Sequence, residues 1–225
     1  MIYIIGAGGV GSWLAPALAL LVGPDKVTLI DQDKLEKHNL NRQLFTPQDI
    51  GKFKAECLGR RYGIGMIPRW FSRGLLRLEA RDVLMCAADN HVARDEVLQS
   101  CDQCGCVAII GANEVHSAEA YVYRREWRGT NLDPREYYPE ITTDRRGDPR
   151  AAAIGCTGEA QEATPQLVTA NFMAAALMQH LFITSVYEYR KFDKAAREHL
   201  PHKLVSTLAK ICSSKTGVPA PTTKG

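Results

Sequence analysis

The chain has 225 residues, of which 45% are hydrophobic and 24% charged, with a formal net charge of +3. That is room for one large α/β domain or at most two small ones, too apolar for a disordered or fibrous chain, and too weakly basic for a nucleic-acid binder. The longest apolar candidate, Val10 to Val22, contains Trp13 and Pro16, is too short to span a membrane, and is not preceded by the basic segment of a signal peptide.

In chain order, Ile2-Tyr3-Ile4-Ile5 is a short β-prone apolar run that ends in glycines, as a buried parallel strand does. Ser12 to Val22 follows, with Trp13, Leu14, Ala17, Leu18 and Leu21 at helical spacing. Gly23-Pro24-Asp25 stops that helix, and Lys26 to Ile30 is a second strand ending at Asp31. Asp33 to Asp49 is polar and irregular. Gly51 to Tyr62 predicts a helix and Gly65 to Phe71 a weak edge strand. Val83 to Ala87 is a further buried strand leading to Asp89; Asn90 to Cys101 has helical spacing; Val107 to Ile110 is a strand closed by Gly111. Glu119 to Tyr123 alternates as an added antiparallel strand would. From Arg125 to Thr164 the periodicity dissolves, and a loop of that length is functional more often than structural. Pro165 opens an apolar helix, Gln166 to Ile183, and Asp193 to Cys212 reads as a second, more polar helical stretch. Ser213 to Gly225 has the composition of a disordered tail.

The alternation of strand and helix predicts an α/β, Rossmann-like fold: a mostly parallel sheet with helices on both faces. Ligands of such sheets lie beyond the carboxyl ends of the strands. Asp31, Asp89 and the glycines after Ile5 all fall at strand ends and so converge on one crevice.

Gly6-Ala7-Gly8-Gly9-Val10-Gly11 sits between strand and helix, where glycines let the backbone approach phosphates and the helix N-terminus offers N–H donors. Asp31, twenty residues after Gly11, suits the hydroxyls of a ribose. The next stretch names the nucleotide. Asp31-Gln32-Asp33, Asn39-Leu40-Asn41-Arg42-Gln43 and Gly51-Lys52-Phe53-Lys54 bring acids, amides and cations together. A nicotinamide pocket has no use for such cations, whereas a triphosphate that expels pyrophosphate does. Read singly, each cation is a solvated surface residue; read as an ordered set after a glycine loop, Arg42 and Lys54 suit the phosphates and Asp89 suits Mg²⁺.

The runs GAGGVGS, IDQDKLEKHNLNRQ, GKFK and CAADN resemble the ubiquitin-activating-enzyme superfamily in its bacterial ThiF/MoeB/HesA branch, over roughly residues 1 to 185. The resemblance implies a ThiF/MoeB-type adenylation domain over 1–185 with a crossover loop at 125–164. A C-terminal helical extension would follow at 186–212 and a tail at 213–225. It implies ATP-dependent adenylation of the C-terminal carboxylate of a small ubiquitin-like or sulfur-carrier protein of the β-grasp type. Gly6, Gly8, Gly9 and Gly11 would shape the phosphate loop, Asp31 and Asp33 would serve the ribose side, and Asn39, Arg42 and Lys54 would hold the phosphates. Gln43 would support them and Asp89 would position Mg²⁺. It further implies a homodimer, an E2-like protein as a possible partner, and no membrane or nucleic-acid partner. The resemblance departs in two places. The family's arginine, supplied across the dimer from helices before the first strand, has no counterpart ahead of Ile2, and Ala88 stands where threonine is common.

Seven cysteines, an odd and unevenly spaced set, fit reduced thiols in a cytoplasm rather than disulfides. Cys101, Cys104 and Cys106 lack the second C-x-x-C pair of a zinc site, so they read as structural thiols and zinc is not expected. Cys156, in the crossover segment nine residues before Pro165, is placed as the family's active cysteine is, suited to a thioester or a persulfide. Tyr137 and Tyr138 are candidates to contact an incoming peptide tail. Two other readings stay open: adenylation of another carboxylate, on a peptide C-terminus or linked to tRNA, and a catalytically weakened pseudoenzyme subunit.

Overall fold

A computed structural model describes residues 1–114, 116–146, 167–188 and 202–207. Strand β1 (Ile2–Ile5) leads through the glycine loop into helix α1 (Gly11–Val22), and β2 (Val27–Ile30) returns beside it. Helix α2 (Lys54–Tyr62), β3 (Gly65–Ile67), β4 (Val83–Cys86), α3 (His91–Cys104), β5 (Val107–Asn113) and β6 (Ser117–Tyr123) follow. Two single helical turns, α4 (Pro134–Tyr137) and α5 (Glu140–Thr143), precede helix α6 (Val168–Phe182) and strand β7 (Lys203–Thr207).

The described strands form one sheet in the order β3-β2-β1-β4-β5-β6-β7. The first five are parallel; β6 runs antiparallel to β5 and β7 antiparallel to β6. Every parallel strand is buried on both faces except the edge strand β3, so the apolar residues divide by parity, as the two-residue strand repeat requires. Ile2, Ile4, Val27, Leu29, Val83, Met85, Val107 and Ile109 face α1, α2 and α6, whereas Ile5, Ile30, Leu84, Cys86, Ala108 and Ile110 face α3 and α5. This two-sided burial makes the short apolar runs of the sequence legible as central parallel strands.

Several boundaries differ from the sequence reading, each for a local reason. Helix α2 starts at Lys54, not Gly51, because Lys52 and Gly51 exchange backbone hydrogen bonds with Leu35 (2.9 and 2.8 Å) and Lys54 N donates to Asp33 O (2.8 Å). Strand β5 does not stop at Gly111 but runs to Asn113. A Cβ on Gly111 would lie 2.3 Å from Met178 Sδ, so this glycine admits α6 rather than ending the strand. The edge strand β3 ends at Ile67, before Pro68. Within the stretch Asp193 to Cys212, read as helical, Lys203–Thr207 is instead a strand. Pairing with the open edge of β6 outweighs the helical spacing, and Leu204 packs against the core while Val205 points to solvent. The tail from Ser213 and Cys156 lie outside the described residues.

Candidate active site

The carboxyl ends of β1, β2, β4 and β5 surround a cavity of about 870 Å³. Gly6, Gly8, Gly9, Asp31, Asp33, Asn39, Arg42, Gln43, Lys54 and Asp89 all line it. Residues separated by up to 83 positions thus come to one hollow because the parallel sheet ends them all at the same edge. Gly11 does not line the cavity. A Cβ there would lie 1.9 Å from Gly6 O, so Gly11 acts from beneath by letting the helix start against the loop.

The glycine loop is tied to β2 by Asp31, whose Oδ2 accepts from Ala7 N and whose Oδ1 accepts from Asp33 N, both at 2.6 Å. Burial, and next the nearby charge of Asp33, raise the Asp31 carboxyl to about 6 despite these two N–H donors and Lys54. The Lys34–Phe53 bridge brings the start of α2 against the 33–35 segment, so Lys54 Nζ meets Asp33 Oδ2 at 3.1 Å with its side chain 8% exposed. A buried ammonium whose carboxylate partner Asp33 is half-exposed is well placed to take a further anion from the cavity.

Asn39 Oδ1 accepts from Glu36 N (3.1 Å), which holds the 3₁₀ turn Lys37–Asn41 and leaves the carboxamide NH₂ as donor. The Arg42 guanidinium is loosely held, by His38 O and Asn41 Oδ1 at 3.3 Å each. Gln43 is buried with no partner for Oε1. Asp89, beyond β4, is exposed to the cavity, and Asn90 beside it caps α3 by accepting from Ala93 N at 2.8 Å.

Sequence reasoning missed part of the wall. Trp70 and Phe71, after β3, add an aromatic side next to Asp31, and Asn113 and Asn171 line the cavity from β5 and α6. Asn171 is fully buried, its Oδ1 has no hydrogen-bond partner, and a Cβ on Gly9 would lie 2.3 Å from that oxygen. The available signal was weak: Asn171 is a polar residue among the apolar residues of Ala170–Met178.

The cysteine cluster lies elsewhere. Cys101 and Cys106 are free and buried in the core on the α3 side of the sheet, with Sγ atoms 3.0 Å apart. Burial pushes the Cys104 and Cys86 thiols up to about 11, far from the thiolate form. Tyr137 and Tyr138 do not reach into the cavity but enclose Lys203, whose Nζ lies 5.2 and 4.8 Å from their ring centres and 2.7 Å from Tyr138 Oη.

A glycine loop on a helix start, an acid at the next strand end, two cations and a strand-end carboxylate thus line one cavity of an α/β fold. Residues 1–63 match the ThiF family. Over 60 residues the chain is 52% identical to the Nedd8-activating enzyme E1 catalytic subunit of Drosophila melanogaster, covering 26% of this chain and 13% of that protein. It is 46% identical over 61 residues to the tRNA threonylcarbamoyladenosine dehydratase of Escherichia coli K12, covering 27% of this chain and 22% of the relative. The solved structure of E. coli MccB with ATP superposes with a TM-score of 0.60 at 21% identity, over 84% of this chain and 56% of that one. The chain is thus similar to the ubiquitin-activating-enzyme superfamily in its first third and shares the fold of MccB over most of its length. The matched segments span less than a quarter of these two curated relatives.

No helix among the described residues is long and apolar enough to cross a membrane.

Proposed function

We propose that this chain is an ATP-dependent adenylating enzyme of the ubiquitin-activating type, whose substrate is the C-terminal carboxylate of a small ubiquitin-like or sulfur-carrier protein. The observation that carries the reading is the meeting of Arg42, Lys54 and Asp89 with the glycine loop in one cavity. The cavity suits a nucleoside triphosphate. A Cβ at Gly8 would have Gln43 Nε2 as its nearest neighbour, at 3.9 Å, so the loop backbone is open to a phosphate.

In this reading Asp31 accepts from the ribose hydroxyls, with Asp33 beside it, and Trp70 and Phe71 flank the base. Gly6, Gly8 and Gly9 shape the phosphate loop over the start of α1. Asn39, Arg42 and Lys54 hold the outer phosphates and Gln43 supports them. The substrate carboxylate oxygen attacks the α-phosphorus; a new P–O bond forms as the bond to the bridging oxygen breaks, and pyrophosphate departs. Arg42 and Lys54 stabilise the charge that grows on that leaving group. Asp89 would hold Mg²⁺, which would supply charge neutralisation to the phosphates; one carboxylate with phosphates and water suffices for this cation.

Transfer of the acyl group to Cys156 as a thioester, a homodimer, and an E2-like partner extend the same proposal, as does a cytoplasmic setting. The exposed Leu20, Leu167, Val168 and Phe172 on α1 and at the start of α6, with Trp13 edge-on to Phe172 at 5.5 Å, give a dimer an apolar surface to bury. The likeness to the E. coli dehydratase favours a tRNA-linked carboxylate as the second reading; the modest charge of +3 counts against it.

The test is exchange of labelled pyrophosphate into ATP with Mg²⁺ and a β-grasp protein ending in a free carboxylate. Exchange is expected in the native protein, with a loss of roughly 100-fold or more in Asp89→Ala. Cys156→Ala should retain exchange and lose any thioester. Unaltered exchange in Asp89→Ala would refute the metal role.

A further inference from the structure

The groups at the carboxyl edge of the sheet follow the strand order: Asp31 after β2, the glycine loop after β1, Asp89 after β4 and Asn113 at the end of β5. With the ribose over Asp31 and the phosphates over the loop, the β5 side of the cavity lies beyond both and is open to the acyl substrate. That side is walled by two amides. Ile109 faces the α6 core, and Gly111 touches Met178 of α6, so Asn113, two residues further, lies on the same sheet face. Asn171 precedes Met178 by two helical turns, about 10 Å along α6, while Asn113 lies about 7 Å along β5 beyond Gly111. The contact between Asn171 and Gly9 puts that end of α6 at the carboxyl edge of the sheet, so Asn171 stands by the glycine loop and Asn113 at the end of β5, both lining the one cavity.

Their unmet hydrogen bonds are complementary. Asn113 Nδ2 is a buried donor without a partner, and Asn171 Oδ1 is a buried acceptor without one. Buried polar atoms are almost always paired, and one free donor and one free acceptor on the same cavity wall form the pattern that a peptide unit lying between them completes. A phosphate offers only acceptors, and a hydrocarbon acyl chain offers neither. We propose that Asn113 and Asn171 form the subsite for the last peptide unit of the acyl substrate, Asn113 Nδ2 donating to its carbonyl and Asn171 Oδ1 accepting from its N–H. This inference rests on the adenylation reading and deepens it by naming the residues that recognise the peptide chain end.

The test uses stable sulfamate analogues of an acyl-adenylate, with binding to the full chain measured by calorimetry. The probes are adenosine 5′-sulfamate, its N-acetylglycyl derivative, and a straight-chain acyl derivative of equal length without the amide. The peptide extension is expected to tighten binding about tenfold over the parent, a gain in proportion to one or two buried hydrogen bonds. The alkyl extension should not. In Asn113→Leu and in Asn171→Ala the ratio of the two affinities, extended over parent, should collapse toward one. Equal gains from peptide and alkyl, no gain from the peptide, or a ratio unchanged in both variants would overturn the subsite. Equal losses for parent and extended probes in both variants would also overturn it, since the amides would then only shape the nucleotide pocket. Failure of the parent sulfamate to bind the native protein would instead refute the adenylation reading itself.

Discussion

Gly9→Ala isolates one steric contact on which the glycine loop depends. Gly9 lies outside the left-handed region, so alanine meets no backbone strain there. The obstacle is Asn171: the added methyl would sit 2.3 Å from Oδ1, 2.6 Å from Cγ and 2.8 Å from Nδ2. Each distance is well inside ordinary carbon contact, and Asn171 is fully buried. Forcing one methyl into such a site costs about 1–3 kcal/mol. In an Asn171→Ala background those three atoms are gone and the cost should fall below about 0.5 kcal/mol, a coupling of at least 1 kcal/mol between the sites. Urea unfolding midpoints of the native protein, both single variants and the double variant close the cycle. The same Gly9→Ala penalty in both backgrounds would refute the argument. Two neighbours serve as controls. Gly8→Ala, with its nearest atom at 3.9 Å, should leave stability within about 0.5 kcal/mol while narrowing the nucleotide cavity, whereas Gly11→Ala meets the backbone oxygen of Gly6 and should not be rescued by Asn171→Ala.

The Asp31 carboxyl, raised to about 6, binds its proton more tightly in the fold than in the unfolded chain, where its pKa is near 3.9. Its contribution to stability is therefore complete below about pH 4 and is lost as pH rises through 6, a change of roughly 2–3 kcal/mol. Urea midpoints measured from pH 4 to 7 should fall more steeply in the native protein than in Asp31→Asn; parallel profiles would refute this. Over the same window ATP affinity should rise with pH, because ionised Asp31 is the better acceptor for ribose hydroxyls. Arg135 joins Asp102 (2.9 Å), Asp133 (2.9 Å) and Tyr123 Oη (2.6 Å) under the turn α4. Arg135→Met leaves Asp102 with Arg128 (3.4 Å) and the Tyr123 hydroxyl, and Asp133 with the backbone N–H groups of Gly129 and residue 135. Losing the charged hydrogen bonds should therefore destabilise by about 1.5–3 kcal/mol in denaturant unfolding, with Tyr123→Phe costing less. Lys54→Met should weaken ATP binding at least about tenfold in calorimetry while costing less than about 1 kcal/mol in stability, because its Asp33 partner is half-exposed and can be solvated.

The β1–α1–β2 unit was legible because each signal was local. Ile2–Ile5 is apolar at every position, the glycines follow directly, and the helical spacing after them has no competing pattern. The same holds for Asp31 and Asp89, which stand directly at the ends of apolar runs. The reading failed where a partner from elsewhere in the chain decides. Gly111 looks like a strand terminator until Met178 is seen to fill the space it leaves. Lys203–Thr207 has no strong pattern of its own, and its strand exists because β6 offers an unpaired edge. Tyr137 and Tyr138, plausible contacts for a peptide, are occupied with Lys203 of that strand.

The amino-acid order alone determined the alternation of elements, the phosphate loop and the identity of the charged residues near it, because strand and helix periodicity and glycine placement act over a few residues. Only the tertiary structure decided that Arg42, Lys54 and Asp89 share one hollow, that Gly11 works beneath it, and that Asn113 and Asn171 close its far wall. Those facts depend on how the strands are ordered in the sheet and where α6 crosses it, and packing across more than a hundred residues of chain leaves no local mark on the side chains it brings together.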